Sequence, residues 1–228
     1  MMTLKMIYKI GIFIRELENR FKAEVLIDGI VTICYVSSSC KLNKLIDLSQ
    51  QEIILKEIKN SKTGLQYSII AVKKGKKFII LNSNYANLAY ENYLCKKSNV
   101  TNIDDIRVFR EITISGYKSD FYFQDTKTIV EIKSIISKER EVIFPQVKSE
   151  RFIRQIQTIE TLIKNGYNYK LIIIGLNPDL KKIIFDKQLN ILKEYNNNSG
   201  FTIEGYICNL NKDMIPIIIG SLKTCFLN

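Results

Sequence analysis

Asp120, Glu131 and Lys133 are the residues of this chain whose types and spacing could do chemistry. They lie in the stretch S-D-F-Y-F-Q-D-T-K-T-I-V-E-I-K-S, residues 119–134. Phe121, Tyr122 and Phe123 are strand formers, as are Ile129, Val130 and Ile132, and the polar residues 124–127 between them read as a tight reversal. A turn centred between Asp125 and Thr126 sets Asp120 opposite Glu131. Side chains alternate along a strand, so Lys133 leaves the same face as Glu131, with Ile129 and Ile135 bracketing the two charges. Like charges directly opposite, with Cβ atoms about 5 Å apart, destabilise a ladder unless something positive lies between them. Two hard carboxylates can hold Mg²⁺ or Mn²⁺ and leave waters on it, and a lysine beside them adds a point charge near a phosphate. The pattern therefore suits metal-assisted phosphodiester hydrolysis. The same residues also have an ordinary reading, since Glu-x-Lys is common alternation on a half-exposed strand and Asp is common at a strand edge.

Composition narrows the chemistry further. The chain contains no histidine, which removes Ser-His-Asp and Cys-His nucleophiles, His-x-x-x-His zinc sites and histidine-dependent nucleases together. Its five cysteines, Cys34, Cys40, Cys95, Cys208 and Cys225, include no Cys-x-x-Cys pair. Structural zinc and a disulfide framework are not expected, and a reducing, cytoplasmic setting is. No apolar run nears the roughly 18 residues of a membrane span, and the opening Met1-Met2-Thr3-Leu4-Lys5 does not read as a signal peptide. The formal net charge is +11; residues 1–100 hold 16 Lys and Arg against 8 Asp and Glu, and residues 101–228 hold 18 against 15. The first part is therefore expected to face a polyanion, with a generic solubilising charge as the alternative.

The elements that must position these residues follow from pattern. Short strand-like runs at 21–27 and 30–36 flank Asp28-Gly29, a two-residue hairpin signal. Runs at 52–58, 67–72 and 77–82 continue the series, the last two joined by a lysine hairpin containing Lys73, Lys74, Lys76 and Lys77. Five short strands predict a small barrel of OB type, whose lysine hairpin would clamp phosphates or simply be a solvated turn. Residues 84–97 read as a helix with Tyr85, Leu88, Asn92 and Cys95 at helical spacings, and residues 98–102 as a boundary. Strands are expected at 108–114, 120–123, 129–135, 170–175, 201–208 and 214–219, and helices at 149–164, ended by Gly166, and 180–195. The fold class is α/β (α+β): an N-terminal OB-like β-barrel at 1–83, a connecting helix and linker at 84–100, and a mixed sheet flanked by helices at 101–228.

The second half looks like a PD-(D/E)xK nuclease core, with Asp120 as first acid and Glu131-Ile132-Lys133 as the (D/E)xK. The likeness becomes narrower. Glu131-Ile132-Lys133-Ser134, then Phe144-Pro145-Gln146-Val147-Lys148-Ser149-Glu150-Arg151, resembles the sugar fermentation stimulation protein (SfsA) family, with its E-V-K-S followed by F-P-D-A-V-T-x-R-G. Arg15-Glu16-Leu17-Glu18-Asn19-Arg20-Phe21 is similar to its R-x-N-R-F opening. Asn82 and Asn87-Leu88 lie where it has V-N-T and P-N-R-L, and Arg110-Glu111 followed by Gly116 resembles its E-V-K-Y-G. Tyr35, Ser38, Cys40 and Lys41 stand where the family has His, Asn, Gly and Arg. Tyr117-Lys118-Ser119-Asp120 replaces its S-R-I-D, Gln146 its Asp, Phe152 its Gly and Gln155 a His.

The resemblance implies a metal-dependent endonuclease joined to an OB-like module and acting on nucleic acid, chiefly DNA. The metal set it implies is Asp120, Glu131 and Ile132 with Mg²⁺ or Mn²⁺, and the catalytic set is Asp120, Glu131, Lys133, Gln155 and, more weakly, Glu111. Arg20, Lys41, Lys73, Lys74, Lys76, Lys77, Lys118 and Arg151 are the expected contacts to nucleic acid. Gln155 shares a flank of its helix with Arg151, beside the apolar stripe Phe152, Ile156, Ile159 and Ile163. The alternative function is a non-catalytic DNA-binding regulator that keeps the fold, and no membrane partner is expected.

Overall fold

The computed structural model describes residues 8–38, 40–59, 61, 64–147, 150–196 and 200–227. The readings placed on the first five residues, on Lys148 and Ser149, and on the Asn-rich stop at 197–199 lie outside that set. The chain builds a mixed α+β fold, mostly strands.

The first sheet holds six strands in the order β3-β2-β1-β4-β5-β6. They are β1 (Tyr8–Glu16), β2 (Lys22–Ile27), β3 (Ile30–Tyr35), β4 (Glu52–Glu57), β5 (Tyr67–Lys74) and β6 (Lys77–Ile80). Asp28 and Gly29 both take positive φ, 51° and 82°, as a two-residue turn of primed type demands. The five expected strands are present, but β1 was not among them and lies in the middle of the sheet. The run Y-K-I-G-I-F-I-R-E carries aromatic and β-branched residues without a turn signal on its near side, so only pairing with β2 and β4 marks it as a strand. The sheet curls into a half-barrel in which β3 returns to β5 at Tyr35 and Ser68.

Helix α1 (Asn84–Ser98) follows and ends at Asn99, which takes φ 54°. It buries Tyr85, Ala86, Ala89, Tyr90 and Leu94. Of the positions read at helical spacings, Tyr85 is buried, while Leu88 is exposed and Asn92 donates to the Pro216 carbonyl at 3.0 Å.

The second sheet has the order β16-β15-β13-β11-β10-β7. Its strands are β7 (Val108–Arg110), β10 (Phe121–Phe123), β11 (Thr128–Ile135), β13 (Asn168–Gly175), β15 (Phe201–Leu210) and β16 (Pro216–Ser221). Strands β11, β13 and β15 run parallel, and β13 lies between the other two, which accounts for its unbroken apolar sequence. The strand expected over 108–114 is interrupted: β8 (Thr113–Ile114) and β9 (Tyr117–Lys118) form a separate hairpin. Helix α2 (Glu150–Lys164) covers one face with Phe152, Ile156, Ile159 and Leu162 buried and Ile163 partly so. The helix expected at 180–195 is a correction. There the chain forms β14 (Lys182–Phe185), a 3₁₀ turn at Lys187–Leu189 and only a short α3 (Ile191–Asn196). Alternate burial of Ile183 and Phe185 and parallel pairing with β12 (Glu141–Phe144) and β17 (Lys223–Phe226) override the local helical spacing.

Two cores result, one on each face of the second sheet. Val130, Ile132, Ile172 and Ile174 join the first sheet and α1 in one of them. Ile129, Ile135, Leu171 and Ile173 join α2, α3 and β14 in the other. The first core runs unbroken past residues 98–102. The two halves also share the bond from Ile80 N–H to the Leu176 carbonyl at 2.9 Å. Among the described residues no helix is long and apolar enough to cross a membrane.

Gly205 in β15 packs against Leu222, whose N–H donates to the Gly205 carbonyl at 2.8 Å. A Cβ at this position would collide with the Leu222 carbonyl. Gly205→Ala should lower stability by about 2 kcal/mol, read as a shift of the urea midpoint at unchanged slope.

Candidate active site

Hairpin β10–β11 pairs Phe121 with Val130, Tyr122 with Ile129 and Phe123 with Thr128, the register expected from its turn. The ladder stops at Asp120. Its N–H donates to the Val130 carbonyl at 3.1 Å, and its carboxylate turns to accept the Ile132 N–H at 2.7 Å and the Asn87 side-chain amide at 3.1 Å. Asp120 is thus held by the neighbouring strand and by α1. Burial raises the Asp120 carboxyl above its ordinary range, and the charge of Glu131 raises it further.

Glu131 points to the face covered by α2 and is only 6% exposed. Its Oε1 accepts Lys133 Nζ at 2.6 Å and Gln155 Nε2 at 3.3 Å, and its Oε2 accepts the Tyr117 hydroxyl at 2.8 Å. Lys133 Nζ also donates to Gln155 Oε1 at 3.0 Å and stands 4.8 Å from the centre of the Phe152 ring. Tyr117 shares a further hydrogen bond of 2.7 Å with Tyr169. Both phenols are buried, and burial pushes both well above the ordinary range, so they stay neutral. A carboxylate withdrawn from water is thereby matched by donors from β9, β11 and α2.

The structure gathers Asp120, Glu131, Lys133 and Gln155. Glu111 does not join them: its carboxylate is exposed and bonded to Lys118 at 2.7 Å, the salt bridge that its sequence position next to Arg110 and near Lys118 also allows, and that bond holds it below the usual range. Lys118 is engaged in the same pair. Ile132 contributes its N–H to Asp120 and its side chain to the first core.

The basic residues scatter. Lys77 and Lys74 both reach Asp179, at 2.5 and 3.6 Å, and Lys73 reaches Glu52 at 3.4 Å. Three lysines of the hairpin therefore meet two carboxylates, Glu52 in the first half and Asp179, shared by Lys74 and Lys77, in the second. Lys76 is exposed, Lys41 is half-buried beside a 3₁₀ turn, and the Arg20 guanidinium lies over the Phe21 ring at 4.6 Å. The side chain of Arg151, in the first turn of α2, is outside the described set.

Sequence reasoning passed over Tyr117, Tyr169 and Asn87 as site residues. Asn87 carried a signal, since it falls in the stretch likened to P-N-R-L. Tyr169 carried none, because it reaches the site only when β13 pairs with β11.

Asp120 and Lys133 open on a cleft of about 530 Å³ between the two halves, lined by Cys40, Asn84 and Asn87 on one side and Phe144, Gln146 and Phe152 on the other. Among the described residues no three His, Cys, Asp or Glu side chains converge. A metal here would rest on Asp120 and Glu131, with backbone, water or substrate oxygens completing its shell. That donor set fits a hard dication that keeps several waters. The raised Asp120 carboxyl beside Glu131 marks negative charge that such an ion would offset.

A family model described as "Sugar fermentation stimulation protein RE domain" matches residues 84–213, more than half of the chain. The chain belongs to the sugar fermentation stimulation protein family. Among its relatives, a sugar fermentation stimulation protein homolog of Clostridium beijerinckii is 24% identical over 209 residues, 87% of this chain and 90% of that protein. The homolog of Ruminiclostridium cellulolyticum is 27% identical over 179 residues, 77% of each. The solved structure of Pyrococcus furiosus SfsA in complex with Ca²⁺ matches with a TM-score of 0.78 at 19% identity, covering 98% of this chain and 99% of that one. Family and fold agree, and the family model begins at the first residue of α1, the helix that supplies Asn87.

Tyr117→Phe keeps the ring and removes the hydroxyl, leaving Glu131 Oε2 and the Tyr169 hydroxyl without their shared partner. It should cost about 1–3 kcal/mol in urea unfolding, and Tyr169→Phe less, since Tyr117 would keep its bond to Glu131.

Proposed function

We propose that this protein is a metal-dependent nuclease of PD-(D/E)xK type, with DNA as its substrate and the half-barrel as an OB-like binding module. The observation that carries the reading is the bonded set of Glu131, Lys133 and Gln155, with Asp120 on the adjoining strand beside the cleft. The Ca²⁺ in the Pyrococcus furiosus structure supports a hard-cation site in the family.

Asp120 and Glu131 would hold Mg²⁺ or Mn²⁺, which when bound supplies charge for the phosphoryl oxygens and lowers the pKa of a coordinated water. Asn87 and the Ile132 N–H fix the Asp120 carboxylate. Tyr117 fixes Glu131 from behind, so its carboxylate keeps one orientation. Lys133 has three donors, of which two serve Glu131 and Gln155; the third, without a partner among the described residues, would serve an oxygen of the substrate. Gln155 holds the Lys133 ammonium and the Glu131 carboxylate at once, and so sets the distance between cation and acid.

Plasmid and single-stranded DNA should be cut in Mn²⁺ or Mg²⁺ and left intact in chelator. Asp120→Ala, Glu131→Ala and Lys133→Ala should each lower the rate at least about a hundredfold and Gln155→Ala about tenfold. DNA bound but never cut in any divalent metal would move the assignment to a non-catalytic DNA-binding protein.

Metal binding has its own readout. A carboxyl raised on folding stabilises the chain less as pH rises through its folded value, because the ionised form is the disfavoured one. Dications should restore that loss. At pH 7.5 (roughly three and a half units above an unperturbed aspartate), millimolar Mn²⁺ should raise the melting temperature of the wild type and leave that of Asp120→Ala unmoved.

A further inference from the structure

The cleft beside Asp120 and Lys133 specifies more than a reaction. Resting on the nuclease reading above, we infer that the substrate is a single strand of nucleic acid, one nucleotide of which enters the cleft while the attached phosphodiester meets Asp120 and Lys133. The cleft measures about 530 Å³. Pockets of about 300–1,000 Å³ enclose one drug-sized ligand, and a nucleotide is of that class. A duplex, whose major groove alone is about 12 Å wide, is not.

The walls belong to different halves of the chain. One is made by Leu45, Ser83 and Asn84, the other by Phe144, Gln146 and Phe152. The two halves share one buried core, a backbone hydrogen bond from Ile80 to Leu176 and the Lys77–Asp179 ion pair. Walls tied by a close-packed core do not part to admit a wider ligand.

Charge points the same way. Asp120 and Lys133 are the only charged side chains among the described residues of the lining. The lining also offers neutral groups: the Asn84 side chain, the Ser83 hydroxyl oxygen, whose proton is already given to the Ser37 carbonyl at 3.1 Å, and the Gln146 carbonyl oxygen, whose amide is already spent on the Ile136 carbonyl at 2.8 Å. Such groups suit the edges of a base or sugar. A base must leave its stack to meet them, which costs a paired duplex more than a free strand.

The test uses the intact chain with a labelled 30-nucleotide strand as DNA, the same sequence as RNA, the blunt DNA duplex, and that duplex with a single-stranded overhang, in Mn²⁺. The free DNA strand should be cut at least about tenfold faster than the blunt duplex, and cuts in the third DNA substrate should fall in its overhang. The RNA arm reports which sugar is preferred. Equal rates on free strand and blunt duplex would overturn the inference while leaving the nuclease reading intact. Asn84→Trp places a ring across one wall from an exposed helix start and should weaken binding of the single strand in chelator at least about tenfold at unchanged melting temperature. Unchanged binding by that variant also counts against the cleft. Where no substrate is cut at all, the nuclease reading fails. Single-strand binding that exceeds duplex binding and is lost in Asn84→Trp would then still uphold the cleft, and equal binding of strand and duplex would refute it.

Discussion

Glu131 is a carboxylate set on the covered face of a strand inside a mixed sheet, antiparallel to β10 and parallel to β13, and much of the second half is arranged to satisfy it. Removing such a group from water is costly unless donors replace the lost hydration. Those donors come from far apart in the chain: Tyr117 from a small hairpin, Lys133 from the same strand and Gln155 from α2. Tyr169 completes the set by bonding to Tyr117. The need to meet one carboxylate therefore fixes how β9, β11, β13 and α2 lie relative to one another. It also places the Lys133 ammonium beside the cleft.

Asp120 is held in a different way. Its partners are a backbone N–H of β11 and the amide of Asn87 on α1. That helix is packed into the core shared with the half-barrel, so the first half of the chain reaches the acid through α1. The two acids consequently answer to opposite faces of one sheet: Glu131 to the α2 side, Asp120 to the α1 side. Asp120 lines the cleft, and its carboxyl is raised by burial and by the charge of Glu131 behind it.

The shared core also changes the meaning of the lysine hairpin between β5 and β6. Asp179 receives both Lys74 and Lys77, and those bonds hold Asp179 below the usual carboxylate range. Exposed ion pairs of this kind contribute little stability individually. Their position matters more, since they lie where the half-barrel meets the second sheet, beside the Ile80–Leu176 backbone bond. A stretch that reads as a phosphate clamp in isolation is, in the folded chain, partly a seam between halves.

What the sequence determined by itself was local and covalently near. The turn at residues 124–127 set the register of β10 against β11, because a short reversal leaves no freedom in the pairing, and the alternation of β11 put Glu131 and Lys133 on one face. The apolar stripe of α2 placed Gln155 on the flank that reaches them, and the unbroken apolar run within β13 suits a strand in a parallel or central position. Tertiary structure decided the rest. β1 lacked a turn signal, and β14 was hidden in a helix-like spacing until β12 and β17 paired with it. Glu111 sat near Asp120 in the chain yet turned to Lys118 at the surface. Tyr117, Tyr169 and Asn87 joined the site from elements whose contacts depend on how sheets and helices stack. Periodicity reports which face a residue takes within its own element, while partners across layers are chosen by packing of the whole core, which no local pattern encodes.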